Sequence, residues 1–149
     1  MSADAGSNSP TRALLPFELG GHLLAIDATV VIEVTGPRDW VAIPKAPPAV
    51  PGALAWRGRA LAVLDLGRAL SLPALTVPKT RARNLIIGLS DDTVVLSVDR
   101  VREARPGAEL APVHAADLGL PAYGELVLDE QIALALDIEA WVQSLRRKA

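Results

Sequence analysis

The chain has 149 residues, 50% of them hydrophobic and 21% charged, with a formal net charge of −2 at pH 7. This length and composition predict one globular domain with a single core, and a net charge near zero argues against nucleic acid as a partner because backbone binding needs a basic face. The absence of cysteine excludes disulfides, thiolate catalysis and cysteine-based metal sites.

The N-terminal segment is small and polar. Residues 1–11 cannot offset the entropy of ordering by burial, so we expect a flexible leader in front of one domain over residues 12–149. The segment lacks the basic start and apolar core of a secretion signal, and no apolar run reaches the roughly 18 residues that span a membrane. We therefore expect a cytoplasmic protein without direct membrane insertion.

Short apolar runs joined by turn residues predict four β-hairpins. Their strands are Leu14–Leu19 with His22–Ile26, Gly52–Trp56 with Arg59–Leu64, Asn84–Leu89 with Thr93–Val98, and Glu125–Leu128 with Gln131–Leu136. Regularly spaced short strands favour a mainly β fold, a barrel or a sandwich, closed by a C-terminal helix. A parallel α/β fold is disfavoured because long helical crossovers are missing.

Four apolar runs end on an aspartate. The simplest physical interpretation is N-capping, in which the carboxylate accepts hydrogen bonds from the first amides of a helical segment. The segments expected to follow are ATVVIEV, LGRAL, RVRE and the C-terminal helix IEAWVQSLRRK, and the four predicted structural caps are Asp27, Asp65, Asp99 and Asp137.

Residues 107–124 are rich in proline and alanine and predict a loop with a short helical turn.

Four prolines precede the second hairpin, at Pro44, Pro47, Pro48 and Pro51. They predict a rigid, exposed connector, because proline fixes φ and has no amide to donate. The hairpin turn that follows contains Arg57. Turn geometry does not require arginine, whereas its planar guanidinium suits recognition of carboxylates or carbonyls on a protein partner. The neighbouring Trp56 is either a core anchor or a stacking surface.

The sequence offers little chemistry for catalysis. Only two histidines occur, His22 and His114, and neither a nucleophile elbow nor a phosphate-binding loop is present. We expect no enzymatic activity, no metal and no cofactor. A distant alternative is a small β-barrel enzyme or ligand-binding protein that uses the aspartates at the strand ends. A polar pocket that contains two of these aspartates and a histidine would support it.

Several short motifs follow one another in a fixed order. They are Ala25-Ile26-Asp27, Val31-Ile32-Glu33-Val34, Ile43-Pro44, Pro47, Val50, Gly52, Arg57-Gly58 and Leu64-Asp65-Leu66, followed by the segments VVLSVDRV and LALDIEAWV. In these motifs, from Leu14 to about Leu145, the sequence resembles the CheW family of chemosensory adaptor proteins.

The resemblance implies a fold and a function. It implies a CheW-like domain of two intertwined five-stranded β-barrels with short helices and a C-terminal helix. It also implies a non-enzymatic adaptor that couples the cytoplasmic domain of methyl-accepting chemoreceptors to the regulatory domain of a CheA-type histidine kinase, recruited to receptor arrays. The groove between the barrels would receive the receptor's helical hairpin tip. The candidate binding residues are Val31, Glu33, Gly52, Trp56, Arg57, Gly58 and Val98.

Three positions depart from the family pattern. Ala55 stands where the family has asparagine, Trp56 where it has leucine, and Ala62 where it has proline. Ala55 and Trp56 adjoin Arg57 and alter polarity at the expected receptor-facing corner. The alternative function is therefore a divergent CheW-like interaction module, for example in a pilus or gliding-motility pathway, that binds only receptor or only kinase.

Overall fold

The computed structural model describes residues 11–69, 81–113 and 120–148 and contains two β-sheets and a C-terminal helix. Residues 1–10, most of the predicted leader, lie outside the described residues, and Thr11 already belongs to the first strand. The strands are β1 (Thr11–Leu19), β2 (His22–Asp27), β3 (Val31–Thr35), β4 (Val41–Ala42), β5 (Gly52–Trp56), β6 (Arg59–Leu64), β7 (Arg83–Gly88), β8 (Thr93–Val98), β9 (Arg100–Val101), β10 (Arg105–Glu109), β11 (Ala122–Leu128) and β12 (Gln131–Leu136). The helices are α1 (Leu66–Ala69) and α2 (Ile138–Lys148), and a 3-10 turn covers Ala28–Val30.

The two sheets are intertwined along the chain. Sheet A has the strand order β10-β1-β2-β12-β11, with β9 also paired to β1, and sheet B has the order β3-β7-β8-β6-β5-β4. Sheet B thus uses the middle of the chain, whereas sheet A combines its two ends. The pairs β2 with β12 and β6 with β8 are parallel, and the other pairs are antiparallel. The predicted mainly β fold class is confirmed.

Both sheets curve around their own interiors. In sheet A, Ala111 and Glu125 exchange two backbone hydrogen bonds of 2.8 Å, which join the segment after β10 to β11 at the opposite end of the strand order. In sheet B, the segment between β3 and β4 crosses the open side, where the Arg38 guanidinium donates to the Ala55 carbonyl at 3.2 Å and Trp40 packs inward.

The core consists of three clusters, not the single core predicted from composition. One lies between the sheets and includes Phe17, and the other two lie inside sheet A and inside sheet B. In β7, Leu85 and Ile87 join the central cluster, whereas Ile86 between them faces the interior of sheet B. A strand buried on both faces needs apolar residues at every position, which accounts for the continuous apolar runs in the sequence.

All four predicted hairpins are present, and β5, β6, β8 and β12 have the predicted bounds. The hairpin turns at residues 20–21, 57–58 and 129–130 have positive φ at both central residues. This is the geometry of primed turns, which match the right-handed twist of the paired strands.

Several predictions of helix and loop are wrong. The segment predicted as helical after Asp27 forms a 3-10 turn over Ala28–Val30 followed by β3, and RVRE contains β9. Asp99 is therefore not a helix cap: its carboxylate accepts a hydrogen bond of 2.9 Å from the backbone N–H of Gly20, at the β1–β2 turn. The segment predicted as loop over residues 107–124 includes the end of β10 and the start of β11.

The other aspartates stand at the starts of helical segments. Asp27 accepts from the Thr29 amide at 2.8 Å in the 3-10 turn, and Asp137 accepts from the Ala140 amide at 3.0 Å at the start of α2. Asp65 directly precedes α1, and its own amide donates to the Ala49 carbonyl at 2.9 Å.

Candidate protein-binding site

Three of the predicted binding residues meet at one rim of sheet B. Glu33 lies on β3, Trp56 ends β5, and Arg57 occupies the β5–β6 turn. The Arg57 Nη2 atom donates to Glu33 Oε1 at 2.9 Å, and the Trp56 indole Nε1 donates to the same oxygen at 3.4 Å. The Arg57 guanidinium carbon lies 4.5 Å from the centroid of the Trp56 ring, in cation–π contact. We call this cluster of Glu33, Trp56 and Arg57 the Glu33–Arg57 site.

A β-bulge in β3 precedes Glu33. Val31 pairs with Ile87 and Glu33 pairs with Ile86, so Ile32 is one residue in excess on β3. A bulge changes the side to which the following side chains point, and Glu33 here faces the indole of Trp56. Gly88 leaves room for the bulged residue, because a Cβ at Gly88 would lie 3.0 Å from Ile32 Cδ1.

The turn that carries Arg57 is conformationally unfavourable for arginine. Arg57 has φ 48°, a left-handed conformation that costs a non-glycine residue roughly 1–2 kcal/mol. Asparagine followed by glycine is the usual solution at such a turn. Gly58 has φ 76° and open space around it, so the backbone conformation, not crowding, favours glycine there. The contacts of Arg57 with Glu33 and Trp56 offset part of this strain.

The Glu33–Arg57 site is open to solvent, and β3 exposes two apolar residues that adjoin Glu33 in sequence. The Arg57 side chain is 67% exposed and that of Glu33 is 34% exposed. On β3, Ile32 and Val34 are 49% and 44% exposed on either side of Glu33. Exposed apolar residues on the same strand as a charged site are typical of a protein-binding surface.

The sequence pattern did not single out Ile32 and Val34 as separate binding residues. The signal that identifies them is the β-branched character of Val31-Ile32-Glu33-Val34, which favours a strand. That signal was hidden because the segment is predicted as helical.

The remaining predicted binding residues are mostly covered by the fold. Trp56 is 6% exposed and Val98 is fully buried in the central cluster, so these side chains anchor the rim from within. Gly52 lies beneath the Trp40 ring, and a Cβ at Gly52 would lie 2.7 Å from the Val41 carbonyl oxygen. Val31 is partly buried against the central cluster. These positions shape the rim, whereas Arg57 and Glu33 present polar atoms at the surface.

The family departure at Ala55 lies at the surface. Ala55 is exposed on β5 beside the turn that carries Arg57. Its methyl group replaces the side-chain amide of the family pattern, so a hydrogen-bonding group is missing from this corner. The departure at Trp56 is an interior change that adds an indole N–H for Glu33.

Two of the aspartates at strand ends meet in sheet A. Leu136 pairs with Ile26 in the parallel β2–β12 pair, so the following residues, Asp137 and Asp27, lie side by side. An arginine from β1, Arg12, contacts Asp27 at 2.9 Å. Burial alone would raise the pKa of Asp27, but hydrogen bonds from the turn that it caps and from the arginine hold that pKa below its ordinary value.

An aromatic ring completes this cluster. The Arg12 guanidinium carbon lies 3.5 Å from the centroid of the Tyr123 ring, and burial together with the nearby Asp137 charge raises the pKa of Tyr123. His22 begins β2, at the opposite end of the strand from Asp27, and His114 lies outside the described residues. Asp27 and Asp137 are thus engaged in caps and, for Asp27, an ion pair. The enzyme alternative requires a histidine beside them, and His22 is at the other end of β2.

The described residues contain neither a metal-site cluster nor a membrane-spanning helix. Within them, no group of three or more histidine, aspartate or glutamate side chains has the geometry of a metal site. None of the described helices combines the length and the apolar character needed to cross a membrane.

Comparison with known proteins gives a family. The model of the CheW-like domain matches residues 13–146. The crystal structure of the scaffolding protein TtCheW from Thermoanaerobacter tengcongensis is similar, with a TM-score of 0.74 and 22% sequence identity over 85% of this chain and 89% of that chain. A search of curated protein sequences gives no match. Because the family model covers nearly the whole chain, the protein belongs to the CheW-like domain family.

Proposed function

We propose that this protein is a non-enzymatic chemosensory adaptor that couples the cytoplasmic tips of chemoreceptors to the regulatory domain of a CheA-type histidine kinase. Family membership supports the adaptor class. The observation that carries the proposal is the Glu33–Arg57 pair at an exposed rim of sheet B, since it presents a guanidinium held by Glu33 and Trp56 to solvent at positions that match the family motif. We place the protein in the cytoplasm, at receptor arrays.

The proposed mechanism is stoichiometric. Two interfaces on one rigid body hold receptor and kinase at a fixed geometry, and a change in the receptor shifts the population of active kinase. The helical hairpin tip of the receptor lies along β3 and the groove between the sheets. Burial of Ile32 and Val34 supplies affinity, on the order of 1–2 kcal/mol for each side chain, because both are now half exposed.

Arg57 sets the register of the partner in this mechanism. Only its Nη2 atom is hydrogen-bonded to a described residue, which leaves the other guanidinium donors facing solvent. Glu33 and the Trp56 ring hold the guanidinium in place, so little side-chain entropy is lost when a partner carboxylate or carbonyl binds.

The first test is charge reversal in the Arg57→Glu variant. A glutamate at this turn faces Glu33 and removes the guanidinium, so we expect association with chemoreceptor-containing membranes to weaken by about tenfold while the fold is retained. Co-sedimentation measures association, and circular dichroism with thermal melting checks the fold. Arg147→Glu, an exposed change on α2, is the matched control. Unchanged co-sedimentation of the Arg57→Glu variant would contradict the proposal.

A second candidate function follows from Ala55. Its methyl group leaves the receptor-facing corner without the family's amide, which favours a divergent module that engages only receptor or only kinase. Separate pull-downs with a receptor hairpin tip and with the kinase regulatory domain distinguish the two. Capture of both supports the adaptor, and capture of one supports the divergent module.

A further inference from the structure

A cavity of about 580 Å³ opens between the two sheets, beside β1, β3, β7 and β9. Three arginines line it, Arg81, Arg83 and Arg100. Arg81 and Arg83 are two residues apart and Arg100 is distant from them in sequence, but Arg83 pairs with Val98 at the end of the β7–β8 ladder. The chain before β7 and the chain after β8 therefore leave the ladder together, which brings all three arginines to one opening.

The cavity lining contains three arginines and two carboxylates, so its formal charge is positive. None of the three forms an ion pair with another described residue. The two acidic residues of the lining have other contacts: Glu18 pairs with Arg102 at 2.9 Å, and Asp99 accepts from the Gly20 amide at 2.9 Å. A chain with a net charge of −2 thus concentrates cations at this opening. Guanidinium groups in such a setting favour carboxylates, which they bind through paired hydrogen bonds.

The lining is also partly apolar. Val34 and Val101 border the cavity beside the arginines, and Val34 is 44% exposed. A free inorganic anion satisfies the arginines alone, whereas a segment with acidic and apolar side chains satisfies both kinds of surface. Val34 follows Glu33 on β3, so the cavity and the Glu33–Arg57 site share this strand.

We propose that this cavity receives carboxylate side chains from an acidic, amphipathic segment of a protein partner. The inference rests on the proposed adaptor function, because the segment is the part of the receptor that lies along β3. Arg83 and Arg100 bind the carboxylates, and Val34 packs against the apolar side of the segment. The cationic opening thereby selects receptors with acidic residues at the matching position.

The test uses a capped helical peptide with glutamates on one face and leucines on the adjacent face, together with its glutamine counterpart. Fluorescence anisotropy at low ionic strength measures its binding to the full chain. We expect the Arg83→Gln/Arg100→Gln variant to bind the glutamate peptide about tenfold more weakly, and the unmodified chain to prefer it over the glutamine peptide by a similar factor. Added salt should weaken the binding of the glutamate peptide.

Arg147→Gln is the control, because it removes an exposed charge on α2 away from the cavity. Circular dichroism checks that each variant is folded. Equal binding by the Arg83→Gln/Arg100→Gln variant and the unmodified chain would overturn the inference, as would equal binding of the two peptides. Binding of inorganic phosphate as tight as that of the glutamate peptide would also overturn it, since the site would then suit a small anion.

A receptor pull-down separates this inference from the adaptor proposal. In one outcome, the Arg57→Glu variant fails to capture a receptor hairpin that Arg83→Gln/Arg100→Gln captures as well as the unmodified chain does. This result supports the adaptor proposal and overturns the inference about the cavity. The opposite result is a chain that captures no receptor hairpin but binds the glutamate peptide through the cavity arginines. This result supports the carboxylate site and contradicts the adaptor proposal.

Discussion

Each sheet carries an arginine that pairs with a carboxylate and lies over an aromatic ring. In sheet A, Arg12 pairs with Asp27 at 2.9 Å and lies 3.5 Å from the centroid of the Tyr123 ring. In sheet B, Arg57 pairs with Glu33 at the same distance and lies 4.5 Å from the centroid of a tryptophan ring. The two clusters contain the same chemical groups in nearly the same geometry.

Burial and backbone contacts distinguish the two clusters. The Asp27 side chain is 15% exposed and also accepts a hydrogen bond from a backbone amide of the turn that it caps. The Glu33 side chain is about twice as exposed, and its described hydrogen bonds come from side chains only. A partly buried carboxylate bound to a backbone amide holds the fold, whereas an exposed pair on a rigid rim is available to a partner. The comparison assigns stability to the first cluster and recognition to the second.

Removing each carboxylate in turn tests this division and has the largest expected effect on stability. Asp27→Ala removes a helix-type cap and leaves Arg12 without its carboxylate, so we expect a loss of about 1–2 kcal/mol in the free energy of unfolding. Glu33→Ala breaks an exposed pair and should cost no more than about 0.5 kcal/mol. Urea denaturation followed by circular dichroism measures both. Equal losses in the two variants would remove the distinction between the clusters.

A smaller effect concerns pH. The pKa of Asp27 is below its ordinary value of 3.8, because hydrogen bonds from Thr29 and Arg12 outweigh the opposing effect of burial. A depressed carboxyl pKa contributes stability that is present above the pKa of the unfolded chain and is lost as pH falls through the folded value. The contribution of Asp27 should therefore begin to decline below about pH 4 and be lost as the pH falls through the lower pKa of the folded state.

Urea denaturation between pH 3 and pH 6 detects this contribution. The free energy of unfolding of Asp27→Asn should fall less on acidification than that of the unmodified chain, since the variant has no carboxylate at this position to protonate. The same acid dependence in both proteins would show that Asp27 does not carry this part of the stability.

The hairpins are predictable from sequence because their determinants are local. Turn residues such as Gly20-Gly21 and Arg57-Gly58 stand between apolar runs, and the two central residues of each turn have the positive φ of a primed turn. The C-terminal helix is also predictable, because Asp137 precedes it and its apolar residues have helical spacing. The position of Arg57 at an exposed turn follows from the same local pattern.

The features that sequence does not predict depend on contacts between distant segments. Asp99 has the same local pattern as Asp137, but its hydrogen-bond donor is Gly20, 79 residues away. The burial of Trp56 depends on the curvature of sheet B, and the meeting of Arg83 with Arg100 depends on strand register. Periodicity within one segment contains none of this information.

In the proposed function, Arg57 is presented to a partner and does not serve mainly to hold its own hairpin. A double variant that exchanges the charges, Glu33→Arg with Arg57→Glu, keeps an ion pair across the rim but removes the arginine from the turn. We expect its free energy of unfolding to stay within about 0.5 kcal/mol of the unmodified chain. Its co-sedimentation with chemoreceptor-containing membranes should remain about tenfold weaker. Recovery of full co-sedimentation in the exchanged variant would contradict this account, because the pair alone would then be sufficient.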